Sequence, residues 1–124
     1  MKYKEIRLSG SGGQGIILMG IILAEAAIMN GDNAIQSQSY GPEARGGASR
    51  AEVIISEGEI DFPKVRKPDI LLSLTQEAFN KYIVDLKDGG IVIADDKVKI
   101  EDSDKFQLYQ VPIMSTTNDV LKKP

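Results

Sequence analysis

Along this chain, stretches in which apolar and polar residues alternate are interleaved with stretches that are apolar throughout or repeat at helical spacing. Ile6 and Leu8 alternate with Glu5 and Arg7, which predicts a short strand over 5–9. A helix is predicted over 14–29, because Glu25 is the single charge between Ile16 and Met29 and Asn30-Gly31 stands where a left-handed cap ends a helix. A helix apolar on nearly every side either crosses a membrane or is covered on more than one face. The uncharged stretch 16–24 is too short to cross a bilayer, so this helix is expected to be covered twice. Gly20, at its middle, costs about 1 kcal/mol relative to Ala. Close approach to a neighbour and a merely tolerated glycine both account for it.

A weak strand over 33–36 precedes a polar, glycine-rich loop over 37–48, and strand character returns over 50–56. Glu57-Gly58 suits a tight hairpin turn into a further strand over 59–62. The linker 63–68 carries Lys64, Arg66 and Lys67, a cluster that reads as a solvated loop. A βαβ unit follows. The apolar run 70–74 has the character of a parallel strand covered on both faces, and Thr75 can cap a helix over 76–86 whose buried face is Phe79, Tyr82, Ile83 and Leu86. Gly89-Gly90 turns the chain into a strand over 91–94. An acidic loop over 95–104 and a last strand over 106–111 come next, and a short helix begins near Val120. The fold class expected is α/β: a Rossmann-like three-layer domain with a mostly parallel sheet and one antiparallel hairpin.

The 124 residues suit one domain, 1–124. A net charge of −3 argues against a dedicated binder of nucleic acid or anionic membrane. The sequence has no Cys and no His, which removes thiolate nucleophiles, the usual iron–sulfur ligands, imidazole bases and most zinc sites. No metal is assigned to the chain. Its first residues lead into a strand without a signal-type apolar core, so a cytoplasmic location and no membrane span are expected.

Two clusters carry candidate chemistry. Gly10-Ser11-Gly12-Gly13-Gln14-Gly15 fits the dinucleotide fingerprint G-x-G-x-x-G between a strand and a helix. The fingerprint also wants an acid about 20 residues on, and there is no Asp or Glu from Asn33 to Tyr40. Nor does a Lys-Ser/Thr pair follow the glycines, so a P-loop fails as well. What remains open is an anion or polar-group site at a helix N-terminus, or close backbone packing against another subunit. The second cluster, from Ser39 and Tyr40 through Glu43 and Arg45 to Gly46 and Gly47, has two readings too. It is either a turn with a weak surface ion pair, or a place where Arg45 and Arg50 take a phosphate or carboxylate while Tyr40 stacks on a ring.

Together the clusters resemble the gamma subunit of the 2-oxoacid:ferredoxin (acceptor) oxidoreductases. The resemblance is carried by the G-x-G-G-Q-G turn with its apolar helix and by the Ser-Tyr-Gly-x-Glu-x-Arg-Gly-Gly pattern of Ser39–Gly47, with Pro42 and Ala44 at its two variable positions. It continues through Pro68-Asp69-Ile70-Leu71-Leu72-Ser73-Leu74 to Met114-Ser115-Thr116-Thr117-Asn118. It implies an accessory subunit of an enzyme that decarboxylates a 2-oxoacid, makes an acyl-coenzyme A and reduces ferredoxin or another acceptor. The 2-oxoglutarate branch is preferred, with pyruvate and branched-chain oxoacids as alternatives. Thiamine diphosphate, Mg and 4Fe-4S clusters would sit on alpha, beta and, where present, delta subunits, and this chain alone would bind no cofactor. Its residues facing coenzyme A would be Gly12, Gly13, Gln14, Gly15, Ser39, Tyr40, Glu43, Arg45, Gly46 and Gly47. No catalytic residue is expected. The family also implies further C-terminal helices past Asn118, which the resemblance leads us to expect are missing from the 124 residues. The rival readings are a purely structural assembly subunit and a stand-alone dinucleotide-binding oxidoreductase.

Overall fold

A computed structural model describes residues 3–11, 15–39, 49–61, 64–101 and 103–113, the side chains of Gln38 and Ser39 excepted. In chain order the elements are β1 (Tyr3–Gly10), α1 (Ile16–Met29), β2 (Asn33–Ser39), β3 (Ser49–Ser56), β4 (Ile70–Ser73), α2 (Gln76–Tyr82) with a 3-10 turn at Ile83–Asp85, β5 (Gly90–Asp95) and β6 (Phe106–Val111). The six strands form one sheet in the order β2-β3-β1-β4-β5-β6. β1, β4, β5 and β6 are parallel, and β3 runs antiparallel to both β1 and β2. The α/β architecture is the one expected, with β3 as the single reversed strand.

The antiparallel hairpin is placed differently from the expectation. Glu59–Asp61, the described part of the predicted hairpin strand, is not a strand. The reason lies in the register: Ser56 is opposite Tyr3 on one side and Asn33 on the other, so both edges of β3 are already taken. The chain turns away instead, with Gly58 N donating to Ser56 Oγ (3.1 Å) and Asn33 Nδ2 donating to Gly58 O (2.7 Å). β2 also runs on to Ser39, through residues expected in the loop, because β3 supplies a pairing edge along that whole length. The second helix ends at Tyr82 rather than Leu86, as the 3-10 turn tightens its last residues. The predicted terminal helix lies outside the described residues.

α1 lays its small residues on the sheet. Ile16, Gly20, Ala24 and Ala27 are buried, and a Cβ on Gly20 would stand 3.2 Å from the Ala51 Cβ, so close approach to the sheet accounts for that glycine. The helix ends in a Schellman arrangement: Gly31 at φ +94° donates to Ile28 O, and Asp32 N to Ala27 O, each at 3.0 Å. Its outer side stays open, with Leu18 59%, Ile22 58%, Ile28 56% and Met29 87% exposed. Covering is therefore one-sided among the described residues, where two sides were expected. On the other face of the sheet, Ala78, Phe79 and Tyr82 of α2 pack on Leu71, Val92 and Ala94. Because Leu71 and Leu72 alternate along β4, and Leu72 packs with the Ile6, Leu8 and Ile16 cluster, α1 and α2 lie on opposite faces.

Candidate functional site

β1 leads to α1 on one face, and the neighbouring parallel strand β4 leads to α2 on the other. The boundary between β1 and β4 is thus a topological switch point, and in open α/β sheets ligands bind outside the carboxyl ends of the strands there. Strand register brings the anchors of both sequence clusters to this edge. Gly10 is opposite Ser49, whose hydroxyl donates to Gly10 O (3.3 Å). Arg50 is opposite Ser9 on one side and Ser39 on the other. The segment 40–48 therefore leaves Ser39 and returns at Ser49 beside the start of the glycine turn. Across the switch point Leu74 N donates to Ser9 O (3.0 Å), and the buried Ser9 and Ser73 hydroxyls lie 3.1 Å apart.

Of the candidate residues, Gly15 is described in full. It is the N-cap of α1, at φ +77° and ψ 17°, and its carbonyl accepts from Met19 N (2.9 Å). The N-cap glycine makes no side-chain cap bond, and no acid stands in the helix's first turn. The amide row at its positive end is thus not engaged by a carboxylate of its own first turn. Ser39 is placed by its backbone, as the last residue of β2. Gly12, Gly13, Gln14, Tyr40, Glu43, Arg45, Gly46 and Gly47 lie outside the described residues. What the fold supplies is the position of the described residues that bound them, Gly10, Gly15, Ser39 and Ser49.

An ionic cluster beneath this edge escaped the sequence reading. Arg7 is 3% exposed, its Nε donating to Glu52 Oε2 and its Nη1 to Asp85 Oδ1, each at 2.6 Å. Burial alone would lower its pKa; the hydrogen bonds to Asp85 and Glu52 outweigh that and hold the guanidinium above its ordinary value. The Tyr82 ring lies 5.5 Å from the Arg7 guanidinium and 5.9 Å from that of Arg50. The signal was present in the pairing of Arg7 with Glu52 across β1 and β3. The hairpin assigned to β3 hid it.

At the Asn33 end of β2, opposite to Ser39, a depression of about 560 Å³ is lined by Asp32, Asn33, Glu59, Ile60 and Asp61, among others. Among the described residues, no three His, Cys, Asp or Glu side chains are grouped to hold a metal ion, and no helix is long and apolar enough to cross a membrane.

Residues 5–123 match the family model for pyruvate ferredoxin/flavodoxin oxidoreductase. The 2-oxoglutarate synthase subunit KorC of Methanocaldococcus jannaschii is 52% identical over 98% of this chain and 67% of its own length. Its counterpart in Methanothermobacter marburgensis is 59% identical over 79% of this chain, which spans 53% of that protein. Among solved structures, the gamma subunit of a keto/oxoacid ferredoxin oxidoreductase from Geobacter sulfurreducens PCA superposes with a TM-score of 0.87. It is 47% identical, and the match covers 99% of this chain and 68% of that one.

Proposed function

The chain belongs to the pyruvate ferredoxin/flavodoxin oxidoreductase family, among its gamma-type subunits, and on that premise we propose that it is an accessory subunit of a 2-oxoglutarate:ferredoxin oxidoreductase. In the proposed reaction the assembled enzyme decarboxylates 2-oxoglutarate, joins the remaining acyl group to coenzyme A and passes two electrons to ferredoxin. The 2-oxoglutarate assignment rests on 52% and 59% identity to two 2-oxoglutarate synthase subunits. Thiamine diphosphate, Mg and iron–sulfur clusters are assigned to the alpha, beta and delta subunits, since a sequence without Cys offers no thiolate for a cluster. The assembled enzyme is placed in the cytoplasm.

The observation that supports the site is that Gly10, which begins the glycine turn, lies opposite Ser49, and that Ser39 and Ser49, which bound residues 40–48, end at the same switch-point edge. We assign this edge to the coenzyme A channel. Gly12, Gly13, Gln14 and Gly15 would offer backbone amides to a phosphate. Arg45 would supply a guanidinium, and Tyr40, Glu43 and the adjacent Ser39, Gly46 and Gly47 would shape the wall. The bare apolar side of α1 supports a chain that works inside a larger assembly.

Purification of the tagged chain from its native cells tests the reading. Partner subunits carrying thiamine diphosphate and clusters should come with it, and the preparation should reduce a viologen dye only when 2-oxoglutarate and coenzyme A are both present. Recovery of the chain alone, or of a complex inert to 2-oxoglutarate, would overturn it.

A further inference from the structure

Among the described residues β6 ends the sheet, paired with β5 on one side only and in unbroken register from Gly90↔Phe106 to Asp95↔Val111. Natural edge strands are protected from pairing by an inward Lys, a proline, a bulge or a covering segment. The six residues Phe-Gln-Leu-Tyr-Gln-Val contain no charge and no proline. Tyr109 is 53% exposed and Val111 40%.

The direction of the free backbone groups follows from the described hydrogen bonds. Asp96 N donates to Val111 O (3.0 Å) and Gly89 N to Lys105 O (2.8 Å), so the odd-numbered residues of this segment turn their backbone toward β5. Along a strand the N–H and C=O of successive residues point to alternate sides. Phe106, Leu108 and Gln110 therefore present both groups at the open edge.

We infer that β6 is a pairing edge for a second copy of this chain, antiparallel about a two-fold axis through Leu108. In that register Leu108 exchanges both of its bonds with Leu108 of the other copy, and Phe106 exchanges both with Gln110. The outward backbone groups of all three residues are then satisfied. On the α2 face Leu108 meets Leu108; on the α1 face Gln107 meets Tyr109. With no charge in the strand, the symmetric pairing sets no like charges against each other, and the isologous contact closes at two copies. The other edge, β2, is built from Asn, Ala, Ser and Gln around one Ile, residues poorer in strand preference than Phe, Leu, Tyr and Val.

Sedimentation equilibrium of the full chain tests the pairing. The native chain should be in monomer–dimer equilibrium. Gln107→Lys with Tyr109→Lys sets Lys against Lys twice across the axis and should weaken the dimer by roughly tenfold or more. Gln107→Lys with Tyr109→Glu sets Lys against Glu and should keep it. Both positions are exposed, so these changes leave the core intact. Amide exchange supplies a measurement without mutation: the Phe106, Leu108 and Gln110 amides of the native chain should be protected at high concentration and exposed at low. A native chain that stays monomeric, two double variants that behave alike, or amide protection at these residues independent of concentration would each overturn the pairing.

Discussion

Two strand-to-helix turns leave the same edge of this sheet, and they treat the first amides of their helices in opposite ways. At β4–α2, Thr75 Oγ1 accepts from Ala78 N (3.1 Å), and the helix beyond it packs on Leu71, Val92 and Ala94. At β1–α1 the N-cap is Gly15, with no side-chain bond, and the helix beyond it keeps Leu18, Ile22 and Met29 exposed. The first turn is capped by its own side chain, whereas the second has a glycine at the cap and a helix whose outer apolar side is exposed. That contrast beside a switch point is what the proposed site at the glycine turn rests on.

The largest expected effect tests how closed the α2 side is. Arg7→Ala leaves Glu52 largely buried without its cation and should cost about 3 kcal/mol of stability in urea unfolding. Because the folded pKa of Arg7 is raised, the stabilisation from its charge is complete below the unfolded value and is lost only as pH rises through the folded one. The difference between the native chain and Arg7→Ala should therefore stay flat from about pH 7 to about pH 10, since a guanidinium ordinarily loses its proton only well above that window. Next comes the inner side of α1. Gly20→Val would force a side chain toward Ala51 and should cost about 2 kcal/mol by thermal or urea unfolding. Thr75→Ala removes the cap of the closed turn and should cost about 1 kcal/mol.

The smallest effect on the isolated chain belongs to the open side. Ile22→Glu, on the bare face of α1, should shift stability by no more than about 0.5 kcal/mol. The same change should reduce recovery of partner subunits in a pull-down, as measured by band intensity. Full recovery would break the contrast between a closed and an open half.

Much of this architecture is legible in local pattern. The βαβ unit with its Thr75 cap, and the last strand at Phe106–Val111, follow from apolar runs and turn residues alone. The pairing of β3 does not, because a strand's partners are set by which edges remain free, and β1 and β2 occupy both. That error also hid Arg7, whose alternation with Ile6 and Leu8 reads as a solvent face until β3 supplies Glu52 and the turn after α2 supplies Asp85. The two motif segments are conspicuous in sequence, but the pairing of the residues that bound them, Gly10 with Ser49, depends on the reversed direction of β3. That direction brings Ser49 back to Gly10.

The Michaelis constant for coenzyme A in the assembled oxidoreductase, compared between the native subunit and Arg45→Ala, tests the assignment of this edge most directly. Loss of one charged hydrogen-bonding group at a phosphate should raise that KM roughly tenfold or more while subunit assembly stays intact. An unchanged KM with unchanged turnover and assembly would contradict the account.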